Sequence, residues 1–289
     1  MRLTIPLSTL SLVLLFLAAG AKAGEVNVWI VAGQSNADGL VNKDTGTTGP
    51  IPTAVDSIIG GSNHVYVHHS RGGTSLHPGY TVRPSWHPSV PGQMYADLVV
   101  KLDATLTDIR ANGDTPVIRA MFWMQGEQDA KASNIHAGLA PPPQPEAANN
   151  YDVYLKDLIA AVRGETGAAN LPIIIGETTL GDDPDITYPI SDYNTPYGEM
   201  DYTPIIQAKQ AAVAAGDPWA VLVDTDVSQL GSDYTHFTQQ GLDELATDMV
   251  TAYTVIPEPA TLSLLGLGGA ALLRPAKRKR NKKREDKNV

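Results

Sequence analysis

Five short runs of β-branched and aromatic residues recur along the chain, separated by longer segments with helical spacing. The runs are Val26 to Val31, His64 to His69, Val117 to Trp123, Ile173 to Gly176 and Ala220 to Val223. Most are apolar almost without interruption, as strands buried on both faces are. Between them lie Met94 to Ile109, with apolar side chains at 94, 98, 102, 106 and 109, then Tyr151 to Val162, Ile205 to Ala215 and Leu242 to Tyr253. Strands alternating with helices predict a parallel sheet covered on both faces, an α/β domain. In an open sheet of that kind the ligand crevice lies at the carboxyl ends of the strands, so chemistry is to be sought there. Three stretches break the alternation: Asn42 to Gly61, Ala137 to Pro145 and Gly181 to Asp201. They are rich in Gly, Pro, Asp and Thr and predict surface loops.

The two ends stand apart from this pattern. Residues 1–23 combine Arg2, an apolar run from Leu10 to Ala19 and the small-residue pattern Ala21-Lys22-Ala23, which predicts a secretory signal removed before Gly24. Residues 257–289 hold Pro257-Glu258-Pro259, an apolar glycine-rich stretch from Ala260 to Leu273, and then Arg274, Lys277, Arg278, Lys279 and Arg280. These three parts in this order resemble the PEP-CTERM sorting signal. The resemblance implies export to a secreted, cell-surface or exopolysaccharide-associated form, with transient membrane contact through the C-terminal segment and processing by exosortase-type machinery. The segment alternatively reads as a plain C-terminal tail anchor with its basic flank in the cytoplasm.

Residues 24–256 remain, long enough for one domain with a sizeable core. The chain carries 21 Lys and Arg against 31 Asp and Glu, and much of the basic charge sits in the tail, so this domain is strongly acidic. An acidic field repels nucleic acid and anionic membrane surfaces and is compatible with neutral glycans. There is no cysteine, which excludes disulfides, a thiol nucleophile and a thiolate metal site. The seven histidines lack metal-ligand spacing, and His68 and His69 point to opposite faces of a strand. Neither a metal nor an organic cofactor is expected.

Two short motifs carry chemistry. Gly33-Gln34-Ser35-Asn36 follows the first strand and puts a hydroxyl at the carboxyl edge of the sheet, among backbone N–H groups that can face a carbonyl oxygen. Ala37 replaces the second glycine of a Gly-x-Ser-x-Gly elbow, which disfavours the α/β-hydrolase fold. Asp233-Tyr234-Thr235-His236 precedes the last helix, and its spacing can bring a carboxylate to one imidazole nitrogen while the other takes a proton. Alone, the first motif is also an ordinary turn, and the second also reads as a capping aspartate beside an exposed histidine.

With Trp123-Met124-Gln125-Gly126-Glu127-Gln128-Asp129 between them, these motifs resemble the SGNH hydrolases, and among those the sialate O-acetylesterase and acetylxylan esterase branch. The resemblance spans Val26 to Tyr253. It implies a three-layer α/β/α sandwich on five parallel strands, with Ser35 as nucleophile, His236 as general base and then acid, and Asp233 orienting it. It further implies oxyanion donors at the Ser35 and Gly73 backbone N–H groups and the Gln125 side chain, with Gln34, Asn36, Gly72 and Glu127 in support. Arg71 departs from the small or aromatic residue that related sequences carry there. Glu127 with Asp129 alternatively reads as a glycosidase carboxylate pair. Asp129 is left without a role, and His68, His69, His77 and His87 either line a cleft or are polar loop residues.

The activity so implied is removal of O-acetyl groups from glycans such as sialate, xylan or exopolysaccharide, through an acyl-serine. The rival reading is a surface-displayed glycan-binding or matrix protein on an inactive esterase scaffold.

Overall fold

Each apolar run becomes a strand: β1 (Glu25–Gly33), β2 (His64–Ser70), β3 (Thr115–Met124), β4 (Ile173–Gly176) and β5 (Ala220–Val223). In the computed structural model they form one parallel sheet in the order β2-β1-β3-β4-β5. The structure describes residues 23–91, 93–131, 143–178, 202–225, 230–231 and 235–256. Nearly all of the expected signal segment, the sorting segment, Gly181 to Asp201, most of Ala137 to Pro145, and Asp233 lie outside the described residues.

The helices are α1 (Ser35–Leu40), α2 (Pro50–Ile58), α3 (Met94–Ala111), α4 (Glu146–Asn149), α5 (Tyr151–Thr166), α6 (Thr203–Gly216) and α7 (Gln239–Val255). Alternation along the strands divides them between the two faces. Val28, Ile30, Met121, Trp123, Ile173 and Ile175 pack with Leu98 and Leu102 of α3, Leu155 and Leu158 of α5, and Ile206 of α6. Trp29, Val31, Phe122 and Ile174 pack with Leu40 of α1, Ile51 and Val55 of α2, and Leu245 and Met249 of α7. This is the expected three-layer sandwich. The β1–β3 register shifts between Val28 and Trp29, where Ile118 and then Ala120 are the partners. Arg119 falls in the gap, and its Nε donates to Asn27 Oδ1 at 2.6 Å.

One expectation is corrected. Asn42 to Gly61 is not loop throughout, because α2 occupies Pro50–Ile58. Pro50, Pro52 and the glycines at 60 and 61 read as breakers, yet proline suits the first helical turn, where its missing N–H has no intrahelical acceptor to lose. Ile51 and Val55 then meet α7 in the core.

The chain leaves β1 for β2 on one side and later returns to β3 on the other. The segments after these three strands therefore converge at the point where the strand order reverses. Among the described residues, no helix is long and apolar enough to cross a membrane.

Candidate active site

The carboxyl end of β1 is shaped by Gly33. Its φ of +145° is one that side chains rarely adopt, and a Cβ there would stand 1.9 Å from the Met124 carbonyl oxygen. Glycine lets the ends of β1 and β3 meet, and Gln34 N–H then donates to that same oxygen at 3.0 Å. Ser35 follows as the first residue of α1, where a backbone N–H has no intrahelical partner.

His236 reaches the serine from the far end of the chain: its Nε2 lies 2.8 Å from Ser35 Oγ across a sequence separation of 201. Asn36 holds the histidine segment on both sides. Its Nδ2 donates to the Thr235 carbonyl at 2.9 Å, and its Oδ1 accepts from Phe237 N–H at 3.1 Å. Thr238 then caps α7, its hydroxyl accepting from Gly241 N–H. Asn36 Nδ2 also donates to Glu127 Oε1 at 2.6 Å. Glu127 is buried, and burial raises its carboxyl above the usual range, against the pull of its own N–H, Asn36, His236 and Lys131. Among the described residues its other oxygen, Oε2, has no hydrogen-bond partner.

The segment after β2 closes on the serine from another side. A Cβ at Gly72 would touch Ser35 Cβ at 3.4 Å. Gln125, fully buried after β3, lies beneath both segments. Its Nε2 has Asp129 Oδ2 at 2.6 Å and Gln34 Oε1 and the Thr74 carbonyl each at 3.2 Å. Two amide hydrogens face three protein acceptors, so in this arrangement Gln125 is committed inward. Gln34 Oε1 also accepts from Gln128 N–H at 3.2 Å.

Sequence reasoning gave no role to Asp129, which is fully buried and central to the loop after β2. It accepts from Ser75 Oγ at 2.6 Å and from Leu76 N–H at 3.0 Å, besides Gln125. Burial raises its carboxyl, and these donors oppose the shift. Tyr151 was read only as the start of a helix. Its hydroxyl donates to the Gln125 carbonyl at 2.7 Å and lies 3.0 Å from Gln125 Oε1. Nothing local marks either residue, since their partners come from other segments.

The four histidines near the glycine pair go elsewhere. His77 and His87 each set their rings edge-on to Tyr154 of α5 at 5.4 Å, with His87 Nε2 3.4 Å from Asp157. His69 packs edge-on to Trp86. His68 Nε2 lies 2.7 Å from Ser70 Oγ, which also bonds Asp38 of α1. None of the four hydrogen-bonds to Ser35 among the described residues.

The arrangement pairs a hydroxyl with an imidazole nitrogen at the edge of a parallel sheet, beside backbone N–H groups. Chemically it offers a serine whose proton can be removed. Solved structures of similar fold include a protein from Arabidopsis thaliana, 18% identical, with a TM-score of 0.56 over 80% of this chain and 99% of that one. NanS is another, 13% identical, with a TM-score of 0.51 over 80% and 98%. No curated protein sequence matches. A PEP-CTERM protein-sorting motif matches residues 255–279. Residues 63–255, most of the chain, match the carbohydrate esterase family of sialic acid-specific acetylesterases, and the chain belongs to that family of carboxylic ester hydrolases.

Proposed function

We propose that the protein is an exported serine esterase that removes O-acetyl groups from glycans through an acyl-serine intermediate. Residues 24–256 form the esterase domain, between a signal segment (1–23) and a sorting segment (257–289). The observation that carries the reading is the 2.8 Å approach of His236 Nε2 to Ser35 Oγ at the carboxyl end of β1.

His236 takes the Ser35 proton as Oγ attacks the acetyl carbonyl carbon. The oxyanion that forms is met by the Ser35 and Gly73 N–H groups, and by the Gln125 amide once it releases one of its acceptors. Each such donor typically contributes about 3–4 kcal/mol to the transition state. When the tetrahedral species collapses, the sugar oxygen leaves with the proton from His236. Water, deprotonated by His236, then attacks the acyl-serine, and acetate departs as the serine regains its proton. Asp233 orients His236. Asn36 and Glu127 hold the histidine segment, with Gln34 and Gly72 shaping the floor around Ser35. The acetylated glycan is the substrate, and exosortase-type machinery is the partner that the sorting segment meets.

Replacing Ser35→Ala lowers hydrolysis of p-nitrophenyl acetate by about 10⁴-fold or more, with the melting temperature unchanged. Wild-type protein also takes up a fluorophosphonate label that the variant does not. An active alanine variant, or an unlabelled wild type, would leave the glycan-binding scaffold as the better reading. Acetate release from a panel of acetylated sialic acid, xylan and exopolysaccharide then identifies the glycan.

A further inference from the structure

The Gly72 carbonyl and the Gly73 N–H belong to one planar peptide unit, so a group that fixes the carbonyl also aims the N–H, which points the opposite way. Arg83 supplies such a group: its Nη1 donates to the Gly72 carbonyl oxygen at 2.7 Å. The arginine side chain lies along the glycine pair. A Cβ at Gly73 would stand 3.3 Å from Arg83 Cδ and Nε, and Gly73 has a φ of +71°, so a side chain there would be strained and crowd the arginine. Arg83 is half-buried, and no carboxylate pairs with it among the described residues. The Gly73 N–H likewise donates to no protein acceptor among those residues.

We propose that Arg83 is a positioning residue for ester hydrolysis: its guanidinium holds the Gly72–Gly73 peptide so that the Gly73 N–H faces the oxyanion formed at Ser35. This rests on the proposed roles of Ser35 and Gly73. Two effects act together. A charge-assisted hydrogen bond is roughly twice as strong as a neutral one, so the peptide plane is set before substrate arrives. The cation also draws electron density toward the Gly72 oxygen, and a polarised peptide is a better N–H donor. An arginine neutralised by a carboxylate would do the second less well, and among the described residues this one has no such partner. Gly72 abuts the Ser35 side chain, which brings the oriented peptide to the reacting atom.

The test uses p-nitrophenyl acetate, which carries no sugar, so a loss measured on it cannot come from glycan binding. Arg83→Ala lowers kcat by roughly 10- to 100-fold while KM stays near the wild-type value, because the group acts on the transition state through another residue. Arg83→Lys recovers part of the rate, and guanidinium ion at non-denaturing concentration restores part of it to the alanine variant. Arg83→Met keeps the packing stem without the charge, and gives the same kcat loss should the alanine variant fail to fold. Wild-type kcat in Arg83→Met, or a loss confined to KM, overturns the proposal. Ser35→Ala, measured alongside, separates the two ideas. Activity in Ser35→Ala overturns the esterase reading itself, whereas an inert Ser35→Ala with fully active Arg83 variants overturns only the role of Arg83.

Discussion

On the Ser35 side of the site, the polar groups hang from strand ends and helix starts and bond directly to one another. Asn36 on α1 bonds Glu127 just past β3 and grips both neighbours of His236 just before α7. On the Gly72–Trp86 side there is neither helix nor strand, apart from an isolated bridge between Ser75 and Ser85. That side keeps its shape through side-chain bonds within and onto the loop: Asp129 to Leu76, Arg83 to Gly72, and Thr74 Oγ1 both donating to the Arg71 carbonyl and accepting from Trp86 Nε1. The difference teaches that a single side chain on a helix start can tie the reacting pair together, while the segment proposed to receive the oxyanion, lacking regular elements, needs a whole set of polar ties.

The contrast is broken most severely at Asn36. Asn36→Ala removes three buried hydrogen bonds, among them the side-chain donor to Glu127 Oε1. We expect a loss of about 2–4 kcal/mol in urea unfolding and roughly 100-fold in kcat as His236 drifts. Activity within a few-fold of wild type would mean that the histidine is held without Asn36.

Asp129→Asn tests the other side. The isosteric amide keeps one acceptor oxygen and turns the other into a donor, which must face either Ser75 Oγ or the Leu76 N–H and Gln125 Nε2 donors, so about 1–3 kcal/mol of stability is lost. Activity falls by roughly 10-fold, less than at Asn36, because the loop moves while the Ser35–His236 pair stays. A loss of kcat larger than that of Asn36→Ala would reverse the ranking of the two sides.

The smallest effect is a pH effect on stability. Burial, helped by Lys101, lowers the imidazole of His69 from 6.5 to about 4. A base depressed in the folded state takes up its proton more readily when unfolded. The stabilisation is therefore complete above pH 6.5 and lost as pH falls toward 4. His68 and His87 shift in the same direction, mainly through burial. The melting temperature should fall between pH 7 and pH 5, and His69→Phe, which keeps the aromatic contact with Trp86, should shrink that fall. An unchanged slope in the variant would assign the acid sensitivity to other groups.

Much of the architecture was legible before the structure, and for a local reason. A strand buried on both faces must be apolar along its length, and a helix covering it must be apolar every three or four residues, so each element carries its own signature. Ser35 could be placed at a strand end on that basis alone. The helix at Pro50–Ile58 was hidden because prolines mark the start of a helix as well as the end of one. Asp129, Tyr151 and Arg83 were hidden for a different reason: each is defined by a bond to another segment, and no window of sequence contains both partners.

The sequence by itself determined a parallel sheet wrapped on both faces, with a serine just past its first strand. Only the tertiary structure decided the order β2-β1-β3-β4-β5, and with it which segments meet. It set His236 against Ser35 across 201 residues, Gly72 against the serine, and Arg83 on the Gly72 carbonyl. Hydrophobic periodicity is written into each element, whereas the partner of a polar group depends on how the loops close and the layers pack, a property of the whole chain.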